Sequence, residues 1–394
     1  MRFFKKDFKN KNLIVLDIGS QFVKALLLEI NEEEGRGNLL NWTKEKSFCD
    51  FEKLSLACQK AISRIEKKTG IKADEIFLGT GGDLLRGVST TFCYKREDSS
   101  QKIDLAELRN IVQKTQWRAY DRLRKDFSSE TGLPESEARL VNACVVDIKV
   151  DNEHIPNPIG FEGEIISLTI FNNYTSRENL EKLLQLSAEL GLELRGVNSQ
   201  SYALFHGLGA GSFKDDVIII DVGGKVTDVV LVKNKGEVID IKNFNLGGHL
   251  FTKTLSEFLG LDLDDAEIVK TKYSKGEVSD SAKEKLDKLF SSNISSWFGG
   301  IKVVLNDFYE NYKSTPSNVL LCGGGSLLPG MGDVLKKKGG FKIKIISPNE
   351  ITKITNKTKL QDVSSLALAS LATESPKSNE FYSLLKRAIR LIQT

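Results

Sequence analysis

The chain has 394 residues, enough for two lobes with a sizeable core, and its 40% hydrophobic and 28% charged content is that of a soluble globular protein. A net charge of only +3 gives no global field for nucleic acid, so no nucleic-acid partner is expected. Five scattered cysteines without a C-x-x-C pair and three histidines without ligand spacing argue against a structural zinc site, and no stretch reaches the ~20 apolar residues that span a bilayer.

The first ten residues place Phe3, Phe4 and Phe8 among Arg2, Lys5, Lys6 and Lys9. The apolar run behind them stops at Asp17, too short for a signal peptide, so this is either a frayed start or a second surface-touching segment. Leu13 to Leu16 then runs into Asp17-Ile18-Gly19-Ser20, and Ala25 to Leu28 follows. This pattern predicts a buried strand, a tight Asp-x-Gly turn and a returning strand over 12–30. Apolar spacing predicts a helix over 51–68, and Ile76 to Leu78 a short strand ending in Gly79-Thr80-Gly81-Gly82. An inserted α/β module is expected over 100–197: a charged helix from Leu105 to Phe127, strands over 143–150 and 165–171, a turn at 156–160, and a helix capped by Ser176. No catalytic cluster occurs in it, which favours recognition or assembly.

The opening device returns in the second half. Val217 to Ile220 runs into Asp221-Val222-Gly223-Gly224, followed by Val229 to Val232, so Asp17 aligns with Asp221 and Gly19 with Gly223. Two such hairpins indicate a duplicated domain with a cleft between its halves. Glycine lets backbone N–H groups approach phosphates closely, and a carboxylate at each tip can orient a hydrated metal. Helices are expected over 251–259 and 264–272, the latter setting Glu267 and Lys270 on one face, either as a solvated salt bridge or as contacts to a nucleotide. A longer helical region from Lys283 to Tyr312 is expected to break near Gly299-Gly300. The strand 319–321 ends in Cys322-Gly323-Gly324-Gly325-Ser326, a third close-approach turn.

After a linker-like Ser375 to Asn379, the last segment puts Phe381, Leu384, Leu385, Ala388, Ile389, Leu391 and Ile392 on one helical side and Lys386, Arg387 and Arg390 on the other. No acid follows Glu380. The pattern predicts an interfacial helix attracted to an anionic membrane surface, with reversible binding that clustering of copies would strengthen.

Together these residues resemble the actin-like ATPase superfamily and, within it, the FtsA family of bacterial cell-division proteins. Asp17-Ile-Gly-Ser and Asp221-Val-Gly-Gly are similar to its two phosphate motifs, and Cys322-Gly-Gly-Gly-Ser-Leu-Leu-Pro-Gly to its adenosine motif. Gly247-Gly248, Thr252 and Ala266-Glu267-x-x-Lys270 are similar to its second-lobe signature, and Asn157-Pro-Ile-Gly-Phe-Glu-Gly resembles the family's own inserted subdomain.

The resemblance implies a duplicated, ribonuclease-H-like α/β fold of two lobes with ATP and Mg2+ between them. Its subdomains would be 12–99 completed by about 360–374, the insert at 100–197, 198–250 with 316–359, and 251–315, before the linker and helix at 375–394. By the same resemblance Asp17 and Asp221 order the hydrated Mg2+. Gly19, Ser20, Gln21, Lys24, Gly223, Gly224, Lys225 and Thr227 line the phosphates, and Gly247 and Gly248 adjoin them. Glu267 and Lys270 meet ribose or base, and Gly323, Gly324, Gly325 and Ser326 flank the adenosine. It further implies self-assembly into filaments, binding of the FtsZ C-terminal tail, and peripheral attachment at the division site on the cytoplasmic face through Phe381, Leu384, Leu385, Lys386, Arg387, Ile389, Arg390 and Ile392.

Two departures stand out. The second phosphate loop reads Gly223-Gly224-Lys225-Val226-Thr227-Asp228 where the family has Gly-Gly-Gly-Thr-Thr-Asp, which favours nucleotide binding over turnover. Ser296-Trp297-Phe298-Gly299-Gly300 replaces charged residues on a second-lobe helix. Two alternatives remain: a pilus-assembly relative, PilM, which shares the fold and works through a bound membrane-protein tail, and a small-molecule kinase. The segment 381–393 and the motif at 157–163 argue against the first. The lack of a positioned base and second substrate pocket argues against the second.

Overall fold

The computed structural model describes residues 11–374 apart from 83, 156, 210–214, 234–236, 315 and 357–359. The expectations for the basic start and the terminal amphipathic segment, Phe381 to Ile392 included, lie outside the described residues.

The first lobe opens with β1 (Lys11–Ile18), β2 (Phe22–Asn31), β3 (Arg36–Lys46), α1 (Phe51–Thr69) and β4 (Glu75–Thr80). The insert follows as β5 (Arg86–Lys95), α2 (Leu105–Thr131), β6 (Ala138–Val150), β7 (Glu153–His154) and β8 (Ile165–Ser176). The chain returns through α3 (Arg177–Leu190), β9 (Glu193–Ser199) and α4 (Gln200–Leu208). The second lobe is β10 (Val217–Val222), β11 (Thr227–Lys233), β12 (Glu237–Phe244), α5 (Gly248–Leu259), α6 (Leu263–Ser274), α7 (Asp280–Tyr312), β13 (Asn318–Cys322), α8 (Met331–Gly339) and β14 (Lys342–Ile345). β15 (Ile354–Thr355) and α9 (Val363–Ala372) go back to the first lobe, where β15 pairs with β3 and α9 packs on β1 and α4.

The two main sheets repeat one topology. In the first, β3-β2-β1 is an antiparallel meander and β4 and β9 add to β1 in parallel. In the second, β12-β11-β10 is the meander and β13 and β14 add in parallel. Strand periodicity splits each sheet between two cores. Leu13 and Val15 join Val217 and Ile219 in a central core that includes α4 and α9. Ile14 and Leu16 face α1, whereas Ile218 and Ile220 face α5 and α7. Each such buried Leu or Ile contributes about 1.5–3 kcal/mol.

Two expectations need correction. α7 is continuous through Gly299 and Gly300. A Cβ on Gly300 would lie 2.6 Å from the Phe244 ring, so this glycine admits a neighbour instead of ending a helix. The insert also starts earlier than residue 100, because β5 pairs along its whole length with β8. Ser176 does cap α3, accepting from Asn179 N at 3.2 Å.

Candidate functional site

The two Asp-x-Gly turns are superposable devices. Gly19 N donates to Phe22 O at 3.0 Å, and Gly223 N donates to Val226 O at 2.9 Å. A Cβ on either glycine would sit 2.9 Å from that same carbonyl oxygen, so both turns need glycine. The tips meet. Lys225 N donates to Ser20 Oγ at 3.0 Å, and a Cβ on Gly224 would lie 2.8 Å from that hydroxyl and 3.2 Å from Gln21 Cβ.

Further glycine turns close on the second tip. Gly248 N and His249 N, at the start of α5, donate to Gly223 O at 2.9 Å and Gly224 O at 2.7 Å. A Cβ on Gly247 would fall 2.6 and 2.7 Å from those two carbonyl oxygens. Gly323, at φ 86°, leaves 2.2 Å between its Cβ position and Asp221 Oδ1, and Gly325 presses on Val222. Ser326 Oγ donates to Gly323 O at 2.7 Å and fixes the loop, while Gly324 is open.

The carboxylates differ sharply. Asp17 is fully buried and faces Lys24 across the hairpin register. Lys24 Nζ is 3.1 Å from Asp17 Oδ2 and 2.6 Å from Asp362 Oδ2. Gln200 Nε2 and Ser365 Oγ also donate to Asp17. Burial works against the Lys24 ammonium, but Asp17 and Asp362 outweigh it and hold it firmly charged. Asp221 occupies the matching position and faces Asp228. Ser364 Oγ donates to its Oδ2 at 2.7 Å. Burial pushes the Asp221 carboxyl up to about 6, with the Asp362 and Asp17 charges adding to it. Burial, and then Asp221, push Asp228 up to about 7. Consecutive serines of α9 thus serve the two halves, Ser364 on Asp221 and Ser365 on Asp17.

Among the described residues no three His, Cys, Asp or Glu side chains converge as a direct metal cage. The donor set nevertheless fits a hydrated divalent cation on the second hairpin, since two buried carboxylates face each other there and no cationic side chain among the described residues is in contact with them. Asp17 is different from expectation: Lys24, Gln200 and Ser365 already take up its oxygens. Thr227 also departs, because its hydroxyl donates to Leu246 O at 2.6 Å and receives Trp297 Nε1 at 3.0 Å, tying the hairpin to α7. Lys225 reaches across to the first lobe, its Nζ 3.0 Å from Cys49 Sγ. Lys270 is buried and donates to Gly248 O at 3.1 Å and Thr252 Oγ1 at 2.9 Å, with Glu267 Oε2 at 2.6 Å. Glu267 and Lys270 therefore brace the start of α5, and burial lowers the Lys270 pKa. Gln200, Asp362, Ser364 and Ser365 escaped sequence reasoning. The only available signal was the Ser pair behind an N-capping Asp, which looks like any helix start.

The sequence profile of the type IV pilus assembly protein PilM family matches residues 175–373, half of the chain. Curated relatives include the cell division protein FtsA of Streptococcus pneumoniae, 24% identical over 366 residues that cover 85% of this chain and 75% of that one. FtsA of Neisseria meningitidis is 21% identical over 385 residues, 89% of this chain and 87% of the relative. Among solved structures, a PilM-PilN type IV pilus biogenesis complex has a TM-score of 0.68 at 16% identity, covering 92% of this chain and 99% of that chain. The repeated sheet topology and the paired hairpin tips agree with these likenesses. The chain belongs to the type IV pilus assembly protein PilM family and, with its FtsA relatives, to the actin-like ATPases.

Proposed function

We propose that this chain is an ATP-binding, self-assembling adaptor of the division machinery that tethers FtsZ filaments to the cytoplasmic face of the membrane. The carrying observation is the meeting of both hairpin tips with the Gly247 and Gly323 turns around the buried Asp221, whose carboxyl is pushed up to about 6. In this proposal the Ser20, Gln21 and Gly224 N–H groups hold phosphates, Lys24 keeps Asp17 neutralised beneath them, and Gly323 to Gly325 flank the adenosine. Asp221 and Asp228 hold Mg2+ through water, and the ion supplies charge compensation for the triphosphate. Binding then favours one lobe arrangement and, through it, the polymer. The alignment of FtsA relatives over 85% or more of the chain supports the division role. So does the segment from Phe381 to Ile392, whose apolar side and three cations suit an anionic membrane.

A second reading, a pilus-assembly adaptor holding a membrane-protein tail, draws on the family match and on the likeness to the PilM-PilN complex. Two measurements on the full chain separate the readings. ATP with Mg2+ should give saturable calorimetric binding under both. An FtsZ C-terminal tail peptide should then bind under the first only, and a pilus membrane-protein tail under the second only. Absence of any nucleotide heat removes both. Equal vesicle pelleting of the full chain and one ending at Glu374 removes the membrane anchor.

A further inference from the structure

The outer face of α2, in the insert, carries a site that the nucleotide reading does not use. Trp117 is 57% exposed, whereas Trp297 is buried and Trp42 half-buried. Trp117, Tyr120 and Arg124 follow one another along a single stripe of the helix. Phe92 of β5 walls the other side, leaving an open depression of about 550 Å³. Its rim is basic. Asp121 is shared by Arg124 Nη2 and Lys125 Nζ, each at 2.9 Å. Arg118 has no ion-pair partner among the described residues. The Arg124 guanidinium lies 5.3 Å from the Tyr120 ring centre, and its Nε is enclosed without an acceptor among the described residues.

Aromatic walls leave apolar surface in water, and a guanidinium rim with too few acids leaves donors unmatched. One ligand answers both: a large apolar side chain for the depression, flanked by a carboxylate for the exposed Arg118 and acidic neighbours along the basic rim. We propose that this face of the insert docks an acidic peptide segment of a partner protein that presents one aromatic or long aliphatic anchor residue. The concave shape favours a peptide over a lipid surface, because a bilayer cannot place a single side chain into a recess between Phe92 and Trp117. The proposal stands independently of nucleotide binding.

The test uses the full chain and a fluorescein-labelled peptide of Glu and Asp residues around one central Phe, read by anisotropy. Saturable binding is expected, weakened about tenfold or more by Trp117→Ala and by Arg118→Glu, and weakened by added salt. Both side chains are exposed, so the variants should melt like the unaltered chain. Three results would overturn the proposal: a peptide with Lys in place of the acids binding as tightly, both variants binding like the unaltered chain, or phosphatidylglycerol vesicles shifting Trp117 emission while the peptide does not. Calorimetry with ATP on the same preparation keeps this outcome separate from that of the nucleotide site.

Discussion

Opposite its buried aspartate, the first hairpin carries Lys24 and the second carries Asp228, although both hairpins have the same turn, register and place in the sheet. In the first, the ammonium bridges Asp17 and Asp362, so the charges are matched inside the protein. In the second, two carboxylates share a buried space and both are pushed towards neutrality. Duplication supplied the frame, and a single position leaves one half with its charges matched internally and the other with two facing carboxylates, which in the proposal above meet a hydrated cation.

The sharpest way to break this comparison is to remove the internal cation. Lys24→Met leaves the buried Asp17 and the half-buried Asp362 without their shared cation, and should lower unfolding stability by about 3–5 kcal/mol in urea melts. A loss below about 1 kcal/mol would mean that the first hairpin is not charge-matched. A somewhat smaller effect is expected from the ligand. ATP with Mg2+ at about 100 times its dissociation constant should add ~2.7 kcal/mol, read as a rise in melting temperature, and ATP with chelator should add much less.

The opposite sign is expected on the second hairpin. The folded pKa values of Asp221 and Asp228, raised to about 6 and about 7, exceed the ~3.9 of an unfolded Asp. Below about pH 4 both states hold the protons and these groups cost nothing. Between about 4 and 7 the unfolded chain releases them first, so native stability falls as pH rises. Asp228→Asn should therefore stabilise the Mg2+-free protein by about 1–2 kcal/mol near pH 8 and by almost nothing near pH 4. A destabilisation near pH 8 would show that Asp228 is not repelled by Asp221. Smallest of all, Lys225→Ala should change stability by less than about 0.5 kcal/mol, because its contact with Cys49 is exposed.

The hairpins were legible because alternation, β-branched runs and Asp-x-Gly turns are local signals, and the third glycine turn at Gly323 was legible for the same reason. The charge logic between them was not. Asp17 meets Ser365 and Lys24 meets Asp362 only because α9 returns to the first lobe, and no spacing in the chain announces that contact. Thr227 was misplaced because a hydroxyl next to a glycine turn looks the same whether it faces a phosphate or Trp297. Gly299-Gly300 looked like a helix break because glycine lowers helix propensity. The Phe244 ring shows the competing demand, a close approach that only glycine allows.

The most direct test is calorimetric titration of ATP into the full chain with Mg2+ and with chelator, repeated on Asp228→Asn. Saturable binding that drops about tenfold or more on metal removal, and by a similar factor in Asp228→Asn, is the predicted result. Affinity unchanged by both, or no heat in any case, would contradict a cation-dependent second hairpin.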